Sequence, residues 1–173
     1  MLKIYFKKAV IVVMCVLYFV GCDQSTKKIA KDHLETSTTV SYLGGLIRLI
    51  YVENSGAMLS FGSEFSSSIK FFVLIIGVSV LLSLLLIYLI LKKKDKIARD
   101  IALIMVFSGG LGNLTDRIMN NGKVIDFIII GTEKIHTAVF NFADVFIMFG
   151  TLLFVFTGTK KPNTEQDTTG STS

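Results

Sequence analysis

From Ile69 to Leu91 the chain runs for 23 residues almost wholly in Leu, Ile, Val and Phe. Wound as a helix at about 1.5 Å per residue, such a run covers a hydrocarbon core of about 30 Å. A helix that is apolar all round belongs in lipid or in the core of a much larger protein. Lys92, Lys93, Lys94, Lys96 and Arg99 follow at once, and a short loop rich in Lys and Arg marks the cytoplasmic side. The mean hydropathy of +0.64 and the 18% of charged residues agree with a membrane protein and not with a soluble globule. The formal net charge of +5 does not point to nucleic acid, because the basic residues stand beside apolar runs as topology signals.

The remaining spans follow from this one. A basic start (Lys3, Lys7, Lys8) leads into an apolar run, predicting a first span over about 5–22. The chain returns over 99–119, where Gly109, Gly110 and Gly112 permit close helix approach. Asn120-Asn121-Gly122 is a turn signal. A last span over 139–158 ends at Lys160-Lys161, and the Thr/Ser/Gly-rich stretch 159–173 is expected to be a disordered cytoplasmic tail. Both termini are then cytoplasmic, with 23–68 and 119–138 outside. In the first outer loop, Asp23 and Lys27 stand four apart in helical order in what reads as a solvated juxtamembrane turn. β-Branched and aromatic residues flank Gly44-Gly45, the composition of a two-residue hairpin turn, so a small β element is expected within 36–62. The expected fold is a membrane all-α domain of four helices over 1–158 with a small extramembrane β element.

The chemistry lies between Ser108 and Ile147. Asp116, Asp126 and Asp144 end segments that otherwise suit lipid, and an ionisable group near membrane depth is a functional-site hypothesis by default. The topology places Asp126 and Asp144 on one face of the membrane, with Asp144 about 8 Å into the last helix by its rise. Two carboxylates brought together there cannot both ionise cheaply, so one holds a proton while the other activates water. Each Asp alone has a plainer explanation as a helix cap or ion-pair member. Asn113 and Arg117 share a helix face, Asn141 shares one with Asp144, and Asp116 reads as packing support. Cys15, Cys22, His33 and His136 have no partners at metal-ligand spacing, so neither a metal nor a cofactor is expected.

Four blocks in this chain, Asp23-Gln24-Ser25-Thr26-Lys27, Asn54-Ser55-Gly56-Ala57, Gly109 to Arg117, and Val124-Ile125-Asp126-Phe127 with Phe140-Asn141-Phe142-Ala143-Asp144, resemble those of the bacterial signal peptidase II family. The resemblance implies a dyad of Asp126 and Asp144, with Asp23, Lys27, Asn54, Gly56, Asn113, Arg117 and Asn141 at substrate-binding and supporting positions. It also implies an extracytoplasmic β-cradle and a mobile flap on four spanning helices. The implied activity is that of an aspartic endopeptidase of the inner membrane, active near its outer face. Its partners would be diacylglyceryl-modified prolipoproteins, cut just before the lipidated Cys, together with membrane lipids and cyclic peptide inhibitors of the globomycin type; it would act as a monomer. The chain departs from the family pattern at Met58-Leu59, where Ala-Phe is usual, and at Ala138, where Pro is common.

Two rival functions use the same residues. A transporter or proton relay would also need membrane-edge carboxylates, but would favour acids deep in several helices. A lipoprotein cut at Cys22 is suggested by Phe19-Val20-Gly21-Cys22, although Leu is usual three before the Cys.

Overall fold

The computed structural model describes residues 2–36, 39–56, 64–92 and 96–158. Four helices, α1 (Leu2–Leu34), α2 (Ser67–Leu91), α3 (Ile97–Met119) and α4 (Phe142–Gly158), carry one antiparallel sheet of β1 (Val40–Tyr42), β2 (Ile47–Asn54) and β3 (Val124–Ile130) in the order β1-β2-β3. Of the described helices, α2 and α3 are long and apolar enough to cross a membrane, with mean hydropathies of 3.0 and 1.3. Phe142–Thr157 is a shorter apolar helix. α2 keeps Leu82 and Leu89 inside while Phe72, Val73, Leu81 and Leu84 stand exposed, an outward apolar surface that suits lipid.

Expectation and structure part at four places. The segment after Cys22 is no solvated turn: α1 runs unbroken to Leu34, and Asp23 and Lys27 are buried in it. The last helix begins at Phe142, so Asp144 is its third residue and lies in the first turn, not about 8 Å down. The hairpin between β1 and β2 turns through Leu43–Gly45 and Leu46, longer than a two-residue turn, with Leu43, Gly44 and Gly45 at positive φ. The β element also reaches beyond 36–62, because β3 joins it from the other side of α3. The tail 159–173 and Met58-Leu59 lie outside the described residues.

Glycine lets the helices meet. A Cβ on Gly109 would strike the carbonyl oxygen of Ala143 on α4, and one on Gly112 would come within 2.5 Å of Asp23 Oδ2 on α1. These two positions let α3 sit against both neighbours at once. Below them Val12, Leu82, Leu89, Ile104, Phe107 and Leu114 form an apolar core shared by α1, α2 and α3.

The sheet sits on the far end of α1, where Phe127 packs on Ala30 and Leu34. Successive residues of a strand face opposite ways, so Asp126 turns away from that contact. β2 pairs with β3 antiparallel, Leu49 opposite Ile128 and Val52 opposite Asp126. Two β2 residues, Ile50 and Tyr51, therefore stand against Phe127, a bulge that resets the register. Asn54, two residues past Val52, lies on Val52's face and reaches Asp126 diagonally.

Candidate active site

α3, α4 and the ends of β2 and β3 bring the polar residues together around a cavity of about 410 Å³. Asp126, Asp144, Asn54, Asn113 and Arg117 line it, with Ile130, Val139, Phe140 and Met148 among its apolar walls.

Asp126 is 3% exposed, and both of its carboxylate oxygens accept from amides. Asn141 Nδ2 donates to Oδ1 at 2.7 Å and Asn54 Nδ2 to Oδ2 at 2.9 Å. Burial pushes the Asp126 carboxyl up to about 6, and the negative charge of Asp144 adds to the rise, while the bonds from Asn54 and Asn141 oppose it. Asp144 is half-buried and accepts from Asn113 Nδ2 at 2.9 Å. It also closes a reciprocal cap at the start of α4: Asp144 N donates to Asn141 Oδ1 at 3.0 Å, and Asn141 N donates to Asp144 Oδ2 at 3.3 Å. This has the form of a capping box with Asp three residues after Asn, and it satisfies helix N–H groups that would otherwise lack partners. A carboxylate in the first turn also lies where the helix dipole favours negative charge.

Asn113 and Asn141 tie the two acids into one network. Asn113 Oδ1 accepts from Asn141 Nδ2 at 3.2 Å and from Lys27 Nζ at 2.9 Å. Lys27 is 1% exposed and is also held by Asp23 Oδ2 at 2.8 Å and Asp116 Oδ2 at 2.9 Å. Asp23 Oδ1 in turn accepts from the backbone N–H of Ala143 at 2.9 Å, which pins the start of α4 to α1. Asp116 Oδ2 accepts from Ile125 N at 3.0 Å, pinning β3 next to Asp126. Buried charges are tolerated where each is paired and hydrogen-bonded, and this trio meets that condition.

All nine predicted residues converge, in two tiers. Asp126, Asp144, Asn54, Asn113 and Arg117 face the cavity, whereas Asp23, Lys27 and Asn141 stand behind it and orient the others. Gly56 contributes through its backbone: its N–H donates to Asn54 Oδ1 at 2.9 Å, and its carbonyl accepts from Arg117 Nη2 at 2.8 Å. Arg117 thus donates to two backbone carbonyls, those of Asn113 and Gly56. Asp116 supports packing, as expected. Gln24 was missed: its Nε2 donates to Asp116 Oδ1 at 2.7 Å and reaches Gly112 O at 3.3 Å. It stands within the Asp23 to Lys27 block, but a neutral amide among polar neighbours gives no signal of burial. Ala138, one of the family departures, lies in the cavity wall.

Comparison with known proteins identifies the family. A family model described as signal peptidase (SPase) II matches residues 13–160. The lipoprotein signal peptidase of Borrelia hermsii (strain HS1 / DAH) is 35% identical over 151 residues, covering 83% of this chain and 86% of that protein. That of Borreliella afzelii (strain PKo) is 31% identical over 160 residues, covering 88% of this chain and 89% of that protein. A bacterial membrane enzyme solved by the in meso method at 1.9 Å resolution shares the fold with a TM-score of 0.72 at 22% identity, over 87% of this chain and 94% of that one. By its matched length and by the identity of these relatives, the chain belongs to the signal peptidase II family.

Proposed function

We propose that this chain is a membrane-embedded aspartic endopeptidase that removes signal peptides from diacylglyceryl-modified prolipoproteins, with Asp126 and Asp144 as its catalytic pair. The observation that carries the reading is the network in which Asn113 and Asn141 join the two carboxylates at the edge of one cavity.

Asp126, buried and pushed up to about 6, holds the shared proton, and Asp144 is the base. A water between them loses a proton to Asp144 as its oxygen attacks the scissile carbonyl carbon, while Asp126 gives its proton to the carbonyl oxygen. The tetrahedral diol then collapses: its hydroxyl proton returns to Asp126, Asp144 protonates the leaving nitrogen, and the C–N bond breaks. Neither step needs a group from outside the pair. Arg117 and Asn54 at the cavity edge suit the peptide backbone, and the apolar walls suit the residues before the lipidated Cys.

Expressed in topology, this reading puts the cavity near the outer face of the cytoplasmic membrane and the Lys-rich 92–96 loop inside. The sheet serves as a cradle for the substrate, and the enzyme acts as a monomer. A lipoprotein cut at Cys22 fits poorly with Cys22 in mid-helix, since a protease needs its scissile segment extended. Nor does the site resemble a relay across the membrane, because Asp126 and Asp144 stand at one end of the helices.

The test is cleavage of a purified, diacylglyceryl-modified precursor by Asp126→Asn and Asp144→Asn. Each variant should insert and fold yet lose about 10²–10⁴-fold in kcat, the scale of general acid–base catalysis. Full activity in either one removes the dyad.

A further inference from the structure

Arg117 also lines a second cavity, of about 540 Å³, between the start of α2 and the end of α3. Its described lining includes Lys70, Lys123 and Arg117 with Ser55, Ser67 and Asn121, and no carboxylate. Lys70 Nζ donates to Ser55 Oγ at 3.3 Å, and Lys123 Nζ pairs with Glu53 Oε2 at 2.6 Å outside the lining. Among the described residues that line the chamber, the charged ones are all cations. Arg117 is 8% exposed, and with Nη1 and Nη2 committed to Asn113 and Gly56, its Nε has no partner among the described residues. The other wall is apolar, made of Phe71, Leu74 and Ile75 from α2 and Ile118 from α3, of which Phe71 and Ile118 are exposed.

The two helices that form this chamber are those long and apolar enough to span a membrane. Their neighbouring ends lie where acyl chains give way to headgroups. A pocket that is cationic on one side and apolar on the other at that level matches an amphiphile with an anionic head. Lysines near a membrane surface attract anionic lipid, and phosphate is a strong acceptor for ammonium groups. The catalytic cavity differs in kind, because it holds two carboxylates and neither lysine.

We propose that this second cavity is a binding site for one anionic phospholipid, its phosphate between Lys70 and Lys123 and an acyl chain along Phe71, Leu74 and Ile118. The proposal rests on the membrane-embedded reading but not on the assignment of Asp126 and Asp144. An anionic lipid held there stands beside Arg117, and so next to the site without entering it.

Native mass spectrometry of the full chain in micelles doped with phosphatidylglycerol or phosphatidylcholine of identical acyl chains tests it. Phosphatidylglycerol should be retained about ten-fold or more over phosphatidylcholine, the scale of two lysines facing a net negative headgroup in place of one that its own choline neutralises. The Lys70→Gln/Lys123→Gln variant should lose that preference, and Glu53→Gln should strengthen it by releasing Lys123. Precursor cleavage in phosphatidylcholine vesicles should continue in the double variant, which shows that it is folded and tests the enzyme reading separately. Equal retention of the two lipids, or an unchanged preference in the double variant, overturns the proposal. Thermal stabilisation by inorganic phosphate without lipid selectivity overturns a lipid as the source of the phosphate. A lysine effect that follows acidic residues in the precursor's mature segment, and not lipid charge, overturns it in favour of the substrate.

Discussion

Lys27 Nζ lies 2.9 Å from Asn113 Oδ1, and this contact decides which way round the Asn113 amide stands. An ammonium group can only donate, so the amide oxygen must face Lys27, and the amide NH₂ is left to face Asp144. A cation on the first helix therefore aims a donor on the third at a carboxylate on the fourth.

Replacing that cation with an apolar side chain of similar length should damage both fold and rate. Lys27→Met leaves Asp23 and Asp116 buried without their shared partner, a change that typically costs about 3–5 kcal/mol. In addition, kcat should fall while KM stays near its original value, because Lys27 does not line the cavity. Thermal unfolding with a thiol-reactive dye and steady-state cleavage would measure the two effects. A variant with normal kcat would show that Asn113 needs no such aiming.

The proposed dyad predicts a pH profile. Asp126 sits at about 6 in the free protein against an ordinary 3.8, so it loses its proton as pH rises through about 6. The descending limb of kcat/KM should lie near that value, since kcat/KM reports the free enzyme. Asn54 donates to Asp126 and favours its ionised form. Asn54→Leu should therefore move the limb to higher pH, and a limb that stayed in place or moved down would contradict this account of the shift.

The same shift has a consequence for stability. Below pH 3.8 the group is protonated folded or unfolded and costs nothing. Between 3.8 and about 6 the folded protein binds more protons, so stability falls as pH rises, and above about 6 the full penalty applies. Two units correspond to about 3 kcal/mol. Asp126→Asn removes the charge, so its melting temperature relative to the parent should be highest at pH 8 and should decline on acidification to pH 4. A difference independent of pH would show that burial of this charge is not what the fold opposes.

Two neighbouring glycines should respond differently to one methyl group. Gly112→Ala drives a Cβ to 2.5 Å from Asp23 Oδ2, a carboxylate fixed by Lys27 and Ala143. Gly110→Ala meets only the Leu82 side chain, 2.9 Å away, which can rotate aside. Overpacking of this kind costs about 1–3 kcal/mol, and the first substitution should lie at or above the top of that range while the second falls below it. Comparable melting temperatures for the two would refute the idea that Asp23 is immovable.

The helices and the motif blocks were legible because their signals are local: a long apolar run, a lysine cluster, a short stretch of unusual residues. β3 was not. Val124–Ile130 is apolar but for Asp126, and its first four residues are buried on both faces, so the two-residue alternation that marks a half-exposed strand is missing. The continuation of α1 past Cys22 was hidden for the opposite reason, since Asp23, Gln24 and Lys27 look solvated until partners on α3 and α4 are supplied. The depth of Asp144 was misjudged because Val139 and Phe140 are apolar enough to read as helix, although α4 starts only after the Asn141 cap. The site's membership followed from the resemblance of the motif blocks, but its two tiers did not, because they depend on which side chains point at each other between segments as far apart as Asp23 and Ala143.

The bond from Ala143 N to Asp23 Oδ1 joins residues 120 apart, from the first helix to the last. During synthesis the chain grows from its N-terminus, so Lys27 and Asn113 are made before Asn141 and Asp144. Until the final helix docks, Asp126 lacks one amide donor, Asn113 has no carboxylate to hold, and no second acid exists. With Asp126 and Asp144 as the proposed pair, a nascent chain of this design is inert by construction, and docking of its last helix is what arms it.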